Sequence, residues 1–258
     1  MRVSFLVLAF AVFSLADVPS KVPPLVDAAK LAHQRTEAEK NYRRGVQLAE
    51  GSGVSKNYAA AAGFYRKAAE AGHAAAQYDL SYLYENGFGL AQDWTQAAFW
   101  YRKSAEQGDA EAQNNLGALY AKGQGVPHSE EQAFHWYRLA AQQEDPEGIS
   151  NLGTMYLQGR AVECDFVRAF ELFLKATNLG YAVAQNNLAL MYANGQAVDK
   201  DYVWAYAWLD IAAAQISGCG ELRDRIGAEM TPVEIARARN LADRKREELT
   251  QKNKDAKR

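Results

Sequence analysis

Apolar residues between Asp109 and Gln143 recur at helical spacing. Ala112, Leu116, Leu119 and Tyr120 fall at i, i+4, i+7 and i+8, one face of a helix. Gly123 follows where that helix should stop, because glycine enters the left-handed conformation without a Cβ penalty. After Gly125 and Val126, a second run places Ala133, Trp136, Tyr137, Ala140 and Ala141 on one face. The pattern predicts two antiparallel helices joined by a glycine turn. It also recurs: Gly51, Gly87, Gly123, Gly159 and Gly195 are spaced by 36 residues, as are Ala61, Ala97, Ala133, Ala169 and Ala205. One hairpin cannot bury its apolar face alone, but stacked copies share a continuous core, so the period predicts a helical solenoid.

Small and large residues share this period. Ala97, Ala133, Ala169 and Ala205 stand where paired helices should cross closely. Trp100, Trp136 and Trp208, with Phe64 and Leu172 in register, are expected to fill the space between repeats. Tyr84, Tyr120, Tyr156 and Tyr192 recur on the first helices. Taken singly, these aromatics suggest a cofactor or carbohydrate site; their period assigns most of them to the core.

The register AQNNLGALYAKGQGV followed by AFHWYRLAAQ resembles the Sel1-like repeat, a relative of the tetratricopeptide repeat, from about Ala38 to Ala214. The resemblance implies an all-α, right-handed superhelical solenoid of stacked antiparallel helix pairs. Some copies depart from the pattern. Arg44 stands where Leu80, Leu116, Leu152 and Leu188 do, which marks the first copy as a capping one. Ala161 and Ala197 replace the glycine of Gly53, Gly89 and Gly125. Glu144 replaces the closing glycine of Gly72, Gly108 and Gly180, ahead of Asp145-Pro146.

The ends carry other signals. Residues 1–16 have the form of a secretory signal: Arg2, an apolar run from Val3 to Val12, and Ser14-Leu15-Ala16 before a cut at Asp17. The run is shorter than the about 20 residues a membrane span needs. Residues 17–37 form a proline-bearing leader and an N-terminal capping helix, with the array at 38–216. In the 217–243 segment, Thr231, Pro232 and Glu234 make a helix-start signature, and Ile235, Ala238, Leu241 and Ala242 continue an amphipathic helix that should cap the solenoid. The 244–258 segment is charged and expected to be a disordered tail.

The net charge of −2 and the lack of a basic stripe along the repeats disfavour nucleic-acid binding. Cys164 and Cys219 fall at opposite ends of parallel helices, too far apart for a disulfide. Some cysteine-rich relatives have been described as penicillin-binding or β-lactamase proteins. This sequence lacks their cysteine pair in each repeat and any S-x-x-K motif. His33, His73, His128 and His135 form no H-E-x-x-H motif, and the G-x-G-V turns lack the Lys-Ser or Lys-Thr of a phosphate loop. No catalytic, cofactor-binding or metal-binding residue is assigned.

The resemblance further implies that the first helices line a concave face that binds peptides or proteins. Outward positions there are Asp79, Tyr82, Asn114, Asn115, Lys122, Asn151, Asn186 and Asn187. An asparagine carries a donor and an acceptor, so a ladder of them can pair with an extended peptide; equally, they can bond between the helices. The expected function is a non-catalytic scaffold or adaptor of the cell envelope, most simply periplasmic, with protein or peptide partners. The competing class is an enzyme or binding protein acting on cell-wall material or β-lactams.

Overall fold

The computed structural model describes residues 25–255. The predicted export signal and the leader prolines lie outside them. Five hairpins follow one another: α1 (Leu25–Glu50) with α2 (Tyr58–Glu70), α3 (Ala74–Asn86) with α4 (Trp94–Ala105), α5 (Ala110–Lys122) with α6 (Glu130–Gln142), α7 (Pro146–Gln158) with α8 (Phe166–Asn178), and α9 (Ala182–Asn194) with α10 (Tyr202–Ala212). Then come α11 (Cys219–Gly227) and α12 (Pro232–Asp255). Each hairpin helix packs on the next, and α12 packs on α10.

Local chemistry sets the boundaries. Asn57, Asp93, Ser129, Asp165 and Asp201 cap the second helices by accepting backbone N–H bonds. Gly123 ends α5 at φ 66°, the left-handed conformation expected of it.

A large buried side chain and its seat hold each hairpin together, and in the first four that side chain is a ring. Tyr65, Tyr101, Tyr137, Phe173 and Leu209 are buried on successive second helices. Opposite them, the first helices carry Gly45, Ser81, Gly117, Gly153 and Ala189 in register. A Cβ at Gly45 would lie 2.5 Å from the Tyr65 ring, and one at Gly117 would lie 2.8 Å from Tyr137. The sequence expectation gave the preceding residue of each second helix another role, filling the space between repeats, and these side chains do pack against the clusters. Trp100, Trp136, Phe64 and Leu172 are only half-buried, and of that set Trp208 alone is buried. The offset between the two sets is one residue, which turns a side chain by about 100° around the helix.

A buried amide ladder joins the early repeats. Gln77 donates to the Ala69 carbonyl (3.0 Å), and Gln107 donates to Gln77 Oε1 (2.7 Å). One repeat later, Gln113 donates to the Ala105 carbonyl (3.1 Å) and Gln143 to Gln113 Oε1 (2.8 Å). Ile149 takes the next place, and the ladder stops.

The substituted turns leave traces. At Gly125 a Cβ would come within 2.0 Å of the Trp94 carbonyl oxygen, so the turn of one repeat rests on the start of the helix before it. Ala161 and Ala197 keep the left-handed backbone, at φ 59° and 66°. A gap of about 480 Å³ opens beside Ala197, lined by Val162, Cys164, Phe166 and Val167. Glu144 is likewise left-handed, at φ 63°, and pairs with Lys175 at 3.1 Å.

The ends differ from expectation. Leu80, Leu116 and Leu188 are fully buried in the clusters that join each first helix to the repeat before it. Among the described residues no repeat packs on this side of α1, and Arg44 faces solvent in the same register. The N-terminal capping segment is not a separate element. It is continuous with α1, and residues 30–37 are exposed. The capping box forms: the Thr231 N–H donates to Glu234 Oε2 (2.8 Å) and the Glu234 N–H to Thr231 Oγ1 (3.3 Å). Beyond it, the expected disordered tail is corrected to helix through Asp255. Leu249 is buried, and Arg246 reaches Asp210, which Arg223 also pairs at 2.8 Å. Neither Cys164, which is exposed, nor Cys219, which is buried, is in a disulfide.

Two predictions follow from this packing. Phe173→Ala should destabilise the chain by about 3–5 kcal/mol and Trp100→Ala by clearly less, as read from denaturant midpoints. Equal losses would refute the ring-and-seat assignment. Gly125→Ala should lower thermal stability, whereas Ala197→Gly should raise it by about 1 kcal/mol through relief of the left-handed backbone. A loss on Ala197→Gly would show that the alanine methyl matters more than the strain.

A candidate functional site on the first-helix face

Between α1 and α3 the first-helix face opens into a cleft of about 420 Å³. Its walls include Tyr42 and Val46 from α1, Tyr58 and Tyr65 from α2, and Asp79 and Tyr82 from α3. Glu50 and Lys56 stand at its rim. Phe88, from the turn after α3, stacks on Tyr58 with ring centres 5.2 Å apart and leans on Tyr82 at 6.0 Å. Tyr82 is 44% exposed and Phe88 37%, so the aromatic edge of the cleft meets solvent.

Asp79 sits half-buried among these rings, where Tyr65 and Tyr42 lie close enough for their phenols to act on its carboxylate. Burial pushes its pKa up to about 6, the phenols oppose the rise, and the nearby charges of Asp109 and Glu111 add to it. Burial also pushes the Tyr42 phenol up to about 12, and Tyr65 and Tyr78 rise for the same reason. On its far side Tyr42 stacks on His73 at 4.4 Å, and His73 Nε2 lies 3.0 Å from Glu39 Oε2. No ion pair holds Asp79 among the described residues.

The other candidates from the sequence are placed differently. Asn114 is buried, and its Oδ1 accepts from Asn151 Nδ2 at 2.8 Å, tying α5 to α7. Asn115 Oδ1 accepts from Asn114 Nδ2 at 3.4 Å, near the Tyr101 hydroxyl that donates to Glu85 Oε2 at 2.5 Å. Asn186 accepts from the Cys219 thiol at 3.4 Å. Asn187 is half-buried, and Lys122 is exposed at the end of α5. Asn114, Asn115, Asn151 and Asn186 thus spend hydrogen-bonding capacity inside the protein, in keeping with the alternative that these asparagines bond between helices. Asp79 and Tyr82 come together in the cleft, and the rest do not join them.

Tyr42, Tyr58, Tyr65 and Phe88 belong to the site but were not singled out from the sequence. A signal was present for two of them: Tyr42 and Tyr78 share a register, as do Tyr65, Tyr101 and Tyr137. Glu111 and Glu147, exposed on the first turns of α5 and α7, were also passed over. Among the described residues no group of three or more His, Cys, Asp or Glu side chains is arranged to hold a metal ion.

The raised pKa of Asp79 makes a stability prediction. Between about pH 4 and pH 6 the folded carboxyl holds a proton that the unfolded one releases. Its ionisation therefore destabilises the fold as pH rises through that window, and the penalty is complete at pH 7. Asp79→Asn should stabilise the protein by about 1–2 kcal/mol at pH 7, after allowance for solvent screening, with the gain gone below pH 4. Urea unfolding at pH 7 and pH 3.5 checks this. A loss of stability at pH 7 would contradict a buried, unneutralised carboxylate.

Comparison with known proteins fits the architecture. Residues 38–73, 74–109, 110–145, 146–181 and 182–217 each match the Sel1 repeat. The chain is similar to c5321, a protective antigen present in uropathogenic Escherichia coli strains displaying an SLR fold. Identity is 35% and the TM-score 0.78, over 88% of this chain and 49% of that one. The chain thus spans about half the length of that antigen. It is also similar to a Sel1 repeat protein from Oxalobacter formigenes, at 32% identity and a TM-score of 0.67, over 74% of this chain and 79% of that one. Among curated proteins, none matches. The five matched repeats, with solved structures of the same build, show that the chain belongs to the Sel1 repeat family.

Proposed function

We propose that this chain is an exported, non-catalytic adaptor of the cell envelope that holds a protein or peptide partner on the concave face formed by its first helices. Sel1 repeat proteins are in general protein-interaction scaffolds, typically without catalysis, and membership of the family supports the class. The observation that carries the choice of face is the cleft at Asp79 and Tyr82, where exposed aromatic rings border a half-buried carboxylate. Aromatic side chains on a recessed surface are the usual anchors of protein recognition.

The apolar run Val3 to Val12, followed by small residues at Ser14 and Ala16, supports export. The described residues contain no helix long and apolar enough to cross a membrane. The E. coli relative is described as a protective antigen, which suits a protein presented outside the cytoplasm.

The test is affinity capture from a periplasmic extract, using the native chain and a Glu111→Lys/Glu147→Lys variant. Both glutamates are exposed on the first helices, so reversing their charge should leave the fold intact. Partners retained by the native chain should be lost from the variant. A retained set unchanged by the reversal would remove the first-helix face from the function. Absence of the native protein from the periplasmic extract would remove export.

A further inference from the structure

We propose that the cleft between α1 and α3 is a pocket for one basic side chain, lysine or arginine, of the bound partner, with Asp79 as its counter-ion. The inference rests on the first-helix face being the binding face and adds the chemistry that this face selects.

The argument starts from what happens to Asp79 when the cleft is covered. In the free protein its carboxylate lines the cleft beside Tyr42 and Tyr65 and keeps partial access to water. Any occupant removes that water. Covering an ionised carboxylate without a positive partner is unfavourable, and neutral phenols do not neutralise it. An apolar side chain would therefore leave a buried charge or force Asp79 to take up a proton, a cost that a cation avoids. An anion would meet Asp79 directly, with Glu50 at the rim and the fields of Asp109 and Glu111 beyond. A cation is stabilised by all of these groups.

The walls suit a cation as well as the floor does. Tyr58, Tyr82 and Phe88 form a ring cluster at the mouth, and aromatic faces attract ammonium and guanidinium groups. The protein already makes one such contact here, since Lys56 Nζ lies 4.7 Å from the centre of the Tyr58 ring. Lys56 stays at the rim and forms no ion pair with Asp79, so the floor is left for another cation. Arg43, the nearest arginine of α1 in sequence to Tyr42, is paired with Glu39 at 2.5 Å and lines a different hollow. An aliphatic stem lying on Val46 and Leu83, with its charged head at Asp79, matches the arrangement of apolar and polar lining.

The next two first-helix junctions are built differently. At α3–α5 the Tyr101 hydroxyl is held by Glu85 near Asn115, and at α5–α7 the Asn114–Asn151 bond closes the space. One basic residue per partner segment is therefore selected at one position.

The test uses the immobilised full chain and a peptide library with seven randomised positions flanked by glycine. Lysine or arginine should be enriched at one position. In the best peptide, replacing that residue by norleucine should weaken binding by about tenfold or more, the strength of a charge-assisted contact. Asp79→Asn should do the same to the parent peptide and cause no further loss with the norleucine peptide, as a directly coupled pair requires. Thermal unfolding of Asp79→Asn confirms that it is folded. Peptides retained without basic enrichment, or a preference that survives Asp79→Asn, would overturn this inference. The first-helix reading would then stand if Glu111→Lys/Glu147→Lys still abolished retention. No peptide retained by the native chain would bring down both.

Discussion

The large buried side chain of each second helix must land on a small residue of the first helix, and the rest of the architecture depends on that meeting. Tyr137 over Gly117 and Phe173 over Gly153 bring two backbones close enough for the hairpin to form a unit. A side chain at the seat would push the helices apart, and a smaller residue in place of the ring would leave a void. Since both partners of the contact sit at fixed places in the hairpin, spacing between copies cannot drift without losing it. The period is thus a packing requirement.

The same register produces a closed junction in one place and an open one in another. Between α5 and α7, Asn114 and Asn151 are short enough to bond, and the two helices touch. Between α1 and α3 the corresponding space holds Tyr42, Asp79 and the hydroxyl end of Tyr65. Those side chains line a recess that stays open between the two helices. Substitution within a fixed scaffold has therefore made a recess without any insertion. The first repeat, whose Arg44 marks it as terminal, supplies one wall of it.

Much of this was legible in the amino-acid sequence because it is local. The helix pairs, the glycine stops and the Thr231–Glu234 box depend on residues within a few positions of one another. Asp79 and Tyr82 were also accessible, since helical spacing alone puts them on an outward face. What escaped needed distance information. Trp100 and Tyr101 are neighbours on one helix, and only the seat at Ser81 tells which of them is core. The asparagines look alike in sequence, yet Asn114 is buried and bonded while Lys122 lies open. The segment after Arg244 has the composition of a tail but holds its helix through Asp210, far away in the chain.

The buried interior is unevenly shared along the array. From Ala133 to Leu249 it forms one continuous cluster that takes in both terminal helices, whereas α1–α3 and α4–α5 have two smaller, separate ones. The Asp79 cleft therefore lies beside one of the smaller clusters, and because a solenoid passes load only between nearest neighbours, a change in the cleft is felt first by the two hairpins that flank it.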